Sequence, residues 1–386
     1  MGPVRGGHHV ASGWGPRISG FLQEGRVQGL EVAWRTLAQE RVAEPCILGC
    51  WVMKGDYYSR ITGRDYWADK EAVYCEAMRR LRINLCPQYV MPQDRMGNAG
   101  VIGESWANQL GIRDPEELLP LIESLPSDEE LARDFDLDAT ARDYARAIRR
   151  NTDLTRGEVL FISDFGQADF MGPYNAWGYT AYLMALALYP EHVRRYFHYT
   201  ASRAYLYNLA IVEAVRRHRL APFVYGGQDI CANDGPLCSP TTLDELYFPE
   251  LRRAVQPLLE GDIRIIWHCD GNVMPILGRL LDLGVSGLQG FQEESGVRYD
   301  QIVALNSRWG RPLIIWGCVS VTTTLPMGGV EAVRAAVRRS FELAGPGRGF
   351  GLASTSSIMP EVPDESIDTL FSYGREFGQQ YLRERL

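Results

Sequence analysis

Between Asp262 and Asp300 the chain runs through a strand, a helix and a second strand, an order that leaves few folds open. Ile263-Arg264-Ile265-Ile266-Trp267 is an apolar, largely β-branched run that stops abruptly at His268-Cys269-Asp270-Gly271-Asn272. Val273, Ile276, Leu277, Leu280, Leu281 and Leu283 then recur at helical spacing, Gly284 closes the helix, and Val285 to Phe291 makes the next strand. In a βαβ unit the parallel strands are buried on both faces, and ligands gather where polar residues follow the strands' carboxyl ends.

The rest of the chain repeats that alternation. Strands are expected at Cys46 to Val52, Arg82 to Cys86, Glu158 to Ser163, Leu220 to Tyr225, the two already named, Pro312 to Cys318, and Gly349 to Ala353. Helices are expected at 17–42, 70–81, 138–151, 176–188, 190–219, after Ser239-Pro240, at 330–343 and at 364–381. Gly55 to Trp67 reads as an irregular aromatic loop. Eight strands alternating with helices argue for an α/β fold, a single (β/α)8 barrel rather than a doubly wound sheet. Residues 1–16 read as a flexible tail, and residues 17–386 as the barrel with an N-terminal helical extension and a helical insertion at about 92–157.

Composition narrows the function classes. A net charge of −8 with scattered Lys and Arg leaves no basic footprint for nucleic acid. Apolar runs such as Ala181 to Pro190 are far shorter than a membrane-spanning helix needs, and the N-terminus lacks the apolar run of a secretory signal. Eight cysteines without a disulfide pattern point to a reducing, cytoplasmic compartment, and Cys46-x3-Cys50 is a weak metal signal. The glycine-rich Gly345 to Gly351 follows a helix and enters a strand, the reverse of the order a dinucleotide site requires.

A barrel brings its strand ends to one pocket. That places Trp51, Lys54, Gln88, Asp164, Gln228, Asp229, His268, Asp270, Glu293, Glu294, Cys318 and Ser356 near one another. His268 and Asp270 lie two apart at a strand terminus, so both can reach one metal ion or one substrate group. The alternative is that they hydrogen-bond substrate or backbone with no metal. A metal needs a further ligand, and Glu293, Glu294, Asp229, Cys318 and Ser356 are the candidates. Either Glu293 or Glu294 could serve as acid/base or simply cap the following helix. Gln228 and Asp229 follow two glycines that let the backbone approach a ligand. Tyr57, Tyr58, Tyr66 and Trp67, with Phe165, Phe170, Tyr174 and Trp177, could line a pocket for a flat or methylated ligand, or could pack the rim.

Several motifs together resemble the uroporphyrinogen decarboxylase superfamily. They are Tyr58 to Trp67, Tyr225-Gly-Gly-Gln-Asp229, Gly235-Pro-Leu-Cys-Ser-Pro240, Phe248-Pro249, His268-Cys-Asp-Gly-Asn272, Gly284 to Gln289, and Pro363-Asp-Glu-Ser-Ile367. The resemblance implies a (β/α)8 barrel and either porphyrinogen decarboxylation or methyl transfer. The decarboxylases carry two arginines after the first strand, where this chain reads Pro45-Cys-Ile-Leu-Gly-Cys-Trp-Val-Met-Lys-Gly-Asp56 and has neither. The zinc methyltransferases carry His-x-Cys and a later Cys; here His268 matches, but Asp270 and Ser356 replace the two thiols.

The resemblance therefore implies the methyltransferase-like branch: a one-carbon group moved from a small methoxylated or methylated compound to a corrinoid or thiol acceptor. It further implies zinc or another divalent metal at His268, Asp270 and Glu294, a corrinoid carried by a partner protein, and a homodimer. Asp229 and Gln228 would orient the substrate, with Lys54, Trp51, Gln88, Asp164, Cys318 and Ser356 around it. Two other readings stay open: a metal-free decarboxylase or lyase acting on a small carboxylic acid, which needs a cation from Lys54, Arg95 or Arg298, and a non-catalytic binding barrel.

Overall fold

The computed structural model describes residues 28–49, 51–98 and 109–386. The expected tail at 1–16, the start of the first helical segment and Cys50 lie outside the described residues. Eight parallel strands form the barrel: β1 Cys46–Ile47, β2 Leu85–Cys86, β3 Leu160–Phe161, β4 Phe223–Gly227, β5 Arg264–His268, β6 Gly287–Gln289, β7 Ile314–Val319 and β8 Gly351–Ser354. Six of them form one sheet in the order β1-β8-β7-β6-β5-β4, and β2 pairs with β3. The ring closes through parallel bridges Leu48 to Leu85 and Ser163 to Val224, with Gly49 N–H donating to Leu85 O at 2.9 Å and Tyr225 N–H to Ser163 O at 3.0 Å. All eight expected strands are present, most of them shorter than the run that marks them.

The strands form because their residues are β-branched or aromatic and can be buried on both sides. Ile265, Ile266 and Trp267 are fully buried in β5, and every residue of β7 is buried. Helices cover the outside, among them Lys70–Arg80, Leu137–Leu154, Pro190–His218, Phe248–Glu260, Gly329–Ala344 and Asp364–Arg383. Leu137–Leu154 packs on Pro190–His218 and on β3, so the last helix of the 92–157 segment occupies the crossover position between β2 and β3.

Part of the expected aromatic loop is instead a helix, Gly55–Thr62, closed by Gly63 at φ 70°. Tyr57 and Tyr58 lie on its buried side, and Tyr58 meets Tyr66 and Tyr74 ring to ring at 5.6 and 5.3 Å. The helix is only two turns long, and its apolar side is built from tyrosines rather than aliphatic residues, so it carries little helical periodicity. Phe170, Tyr174, Tyr182, Phe197 and Tyr247 form a second ring cluster, with centroids 5.4 to 5.9 Å from Phe170. These aromatics pack the rim.

Two polar contacts hold the elements that carry the site. Asn208, fully buried in the long helix, accepts from Gly166 N at 2.8 Å and donates to Gly166 O at 2.9 Å and Ala254 O at 2.7 Å. Asn208→Ala would take this partner from three backbone groups on two neighbouring elements, and it is expected to cost about 3 kcal/mol in a urea titration. A loss below about 1 kcal/mol would show that water replaces the amide.

Lys54 and Arg60 clamp Asp364 at 2.7 Å each, tying the segment after β1 to the last helix. Partial burial alone would raise the Asp364 carboxyl, but the two cations hold it below its usual range. Its contribution to stability is complete above the unfolded value of about 3.9 and is lost as pH falls through the lower folded value. Between about pH 5 and pH 3 the urea midpoint should therefore fall more steeply for the wild type than for Asp364→Asn. Parallel curves would remove the ion pair from the acid response.

Candidate active site

One row of strand partners crosses the barrel near its carboxyl end: Gly227, His268, Gln289, Trp316 and Gly351 are successive Cα partners. Partners in parallel strands share a face, so the His268, Gln289 and Trp316 side chains enter the barrel together. Tyr225 stacks on Trp51 at 5.6 Å and lies 5.9 Å from Trp316 and 6.3 Å from His268. These rings make an aromatic floor. Trp51 has φ 40°, a conformation that a non-glycine residue adopts under strain, and Gln88 Oε1 accepts its indole N–H at 3.1 Å.

Beneath His268 the Tyr225 hydroxyl donates to Gln289 Oε1 at 2.8 Å, and the Gln289 amide donates to Ser354 O and Thr355 O at 3.0 Å each. Neither Tyr225 nor Gln289 is among the expected site residues. The available signal is that Tyr225 shares the face of Gly227, and that a glutamine closes a strand that is otherwise apolar.

Above the floor, Asp229 joins His268 and Asp270. Their ligating atoms all lie within 4.8 Å, and His268 Nε2 is 3.7 Å from Asp229 Oδ1 and 3.8 Å from Asp270 Oδ1. Asp270 N–H donates to Asp229 Oδ1 at 2.8 Å, and the Ser356 hydroxyl donates to Asp270 Oδ2 at 3.0 Å. Gly271, at φ 79°, makes this turn possible, since a Cβ there would lie 2.6 Å from Ala232 O. Asp270 Oδ1 and His268 Nδ1 are buried without a hydrogen-bond partner, although Gln289 lies beside the imidazole.

The electrostatics favour a retained proton. Burial raises the Asp270 carboxyl and the Asp229 and Glu294 charges add to it, against the His268 charge and the Ser356 hydrogen bond. For His268 burial is the largest single influence and pulls the pKa down, but Asp270, Asp229 and the Gln289 contacts together carry it above its ordinary value. Two carboxylates within 4 Å of one imidazole are a sufficient cause for that direction.

Other expected residues are held elsewhere. Glu294 accepts from Ser320 Oγ at 2.8 Å and from Thr322 Oγ1, fixed to the turn after β7, so Asp229 rather than Glu294 completes the three-residue group. Glu293 is clamped by Arg339 at 2.8 Å, and no side chain caps the short helix it opens. Lys54 is paired with Asp364. Gln228 Oε1 accepts from Phe170 N and Met171 N at 2.9 Å each, holding the loop after β3. Asp164 accepts from Ser163 Oγ at 3.1 Å, and its charge acts on Tyr144 and Tyr207 of two outer helices. Cys318 is buried against Tyr299 and Ser340, with burial pushing its thiol up.

Residues 220–377 match the family model of uroporphyrinogen decarboxylase (URO-D). Over that segment the chain is similar to this family. The match runs from the start of β4 into the last helix, and so includes Asp229, His268, Asp270 and Ser356. No curated protein matches the chain. Among solved structures, a methyltransferase from Methanosarcina mazei is similar, with TM-score 0.58 and 16% identity over 89% of this chain and 97% of that one. At that identity the likeness shows the fold. Among the described residues, no helix is long and apolar enough to cross a membrane.

Proposed function

We propose that this URO-D-like barrel is an enzyme that transfers a methyl group from a small methylated or methoxylated donor to a corrinoid or thiol acceptor. The observation that carries the reading is the Asp229, His268 and Asp270 cluster, set above an aromatic floor at the carboxyl ends of β4 and β5. The structural likeness to a methyltransferase supports it. The decarboxylase or lyase reading needs a cation for the substrate carboxylate, and its three candidates are committed: Lys54 to Asp364, Arg95 to Asp56 and Arg298 to Asp300.

In this reading the acceptor's electron pair attacks the methyl carbon, and the donor heteroatom departs with the bonding pair. The heteroatom sits against the cluster, where its developing charge is neutralised at a position already built for it. His268 and Asp270, both raised in pKa, hold the proton that the departing group takes up. Asp229 fixes the turn through the Asp270 N–H, and Ser356 fixes the Asp270 carboxyl. Trp51 and Tyr225 offer a flat apolar surface that excludes water from the reacting carbon. The same three donors suit a divalent ion, which when bound would displace that proton and supply Lewis acidity at the heteroatom.

The test is a panel of methoxylated arenes and methylated amines, each incubated with pre-reduced cob(I)alamin or with a thiol. Donor-dependent methylcobalamin or thioether is the expected product. Carbon dioxide release from small carboxylic acids, with no methyl product from any donor, would replace this reading with the decarboxylase.

A further inference from the structure

We infer that Asp229, His268 and Asp270 are the protein ligands of a divalent-metal site that contains no thiolate and leaves positions open to an oxygen or nitrogen of the donor. The inference concerns the cluster used in the methyl-transfer reading, but it stands on geometry that is measurable without any substrate. Divalent zinc and its neighbours bind nitrogen and oxygen ligands at about 2.1 Å, which puts neighbouring ligand atoms roughly 3.0 to 3.5 Å apart. His268 Nε2 is 3.7 and 3.8 Å from the two Oδ1 atoms, so the imidazole need close by only a few tenths of an ångström, and the two carboxylates draw together from within the 4.8 Å that spans the group.

A second observation points the same way. Asp270 Oδ1 is buried and accepts no hydrogen bond, while Oδ2 of the same carboxylate is held by Ser356. A buried carboxylate oxygen with no partner calls for one. The Ser356 contact is the arrangement by which an outer hydroxyl aims a metal-binding carboxylate. His268 presents Nε2 to both carboxylates, and its Nδ1 faces β6, where a Cβ on Gly290 would lie 3.8 Å away.

The sulfur atoms nearby are not part of the group. Cys269 Sγ is turned to its neighbour's carbonyl, Asp270 O, at 3.2 Å, and Cys318 lies against Tyr299 and Ser340. This departs from the thiolate-rich site of the zinc methyltransferases, and it puts Asp229 where the resemblance implies Glu294. Soft sulfur ligands suit activation of a thiol, whereas two carboxylates and an imidazole suit a harder ion that polarises an ether oxygen or an amine nitrogen. Two carboxylates also balance a dication, and three protein ligands leave the open coordination of a catalytic site.

The experiment is a cobalt(II) titration of chelator-stripped, full-length protein, followed by calorimetry and electronic absorption. The expected result is one cobalt per chain, visible ligand-field bands, and no near-ultraviolet thiolate-to-cobalt charge transfer. Asp229→Asn and Asp270→Asn should each weaken binding by on the order of 100-fold or more, and Ser356→Ala by about 10-fold, with circular dichroism unchanged. A double variant, Cys269→Ser with Cys231→Ser at the thiol that hydrogen-bonds Cys269, should keep the stoichiometry and the spectrum. A thiolate band that disappears in the cysteine variant, or no binding by the wild type, would overturn the inference. Methyl transfer by metal-free protein would overturn it while leaving the proposed function in place; bound cobalt without methyl transfer would do the reverse.

Discussion

His268→Ala is expected to lower the methyl-transfer rate by on the order of 1000-fold and to leave the barrel folded. The loss is large because the imidazole is the one basic group between two carboxylates, at 3.7 and 3.8 Å, and its removal leaves them facing each other uncompensated. Asp270, already raised in pKa by burial, would then be pushed further toward its neutral form, and the cluster could no longer meet a departing charge. The fold should survive because β5 pairs through its backbone on both sides, and His268 is its last residue, with a side chain 20% exposed. Turnover, metal content and thermal denaturation of the purified variant decide the matter. Activity within about tenfold of wild type, at equal stability, would remove His268 from the chemistry.

Gly227→Ala is expected to be the most damaging small substitution, costing about 4 kcal/mol or more and lowering the denaturation temperature by on the order of 10 °C. A Cβ at Gly227 would lie 1.8 Å from His268 O and 2.7 Å from His268 N. These are backbone atoms of the paired strand, so no rotamer change relieves the clash, and β4 would have to part from β5 where the cluster is assembled. Gly278→Ala supplies the contrast. Its Cβ would meet nothing within 4 Å, and a helical alanine should be neutral or stabilising by about 0.5 to 1 kcal/mol. Equal melting of the two variants would show that the strands shift to admit the methyl group.

These two glycines also mark how far the chain could be read without its structure. A strand ending in two glycines before Gln228 and Asp229 is visible in the sequence, as is the His268, Asp270 pair at the end of an apolar run. That Gly227 lies opposite His268 is a matter of register, set by pairing between distant segments. The same holds for the misplaced residues. Lys54 is read as a pocket cation because it follows β1, but Asp364, 310 positions later, claims it. Glu294 follows β6 as expected and is then captured by hydroxyls of the β7 turn. Cys318 closes the expected strand two positions after the inward Trp316, yet its side chain packs against Tyr299 and Ser340.

By itself the sequence determined the order of strands and helices, the burial of the strands, and the loops that follow their carboxyl ends. Those properties depend on side chains a few positions apart, where periods of two and 3.6 decide which face is apolar. Only the tertiary structure decided that Asp229 joins His268 and Asp270, that Ser356 orients the latter, and that Tyr225 and Gln289 form the floor beneath them. Closing eight strands into a ring fixes the register between β4, β5, β6 and β8, and that register, spread over more than 120 residues, sets which polar groups face one another.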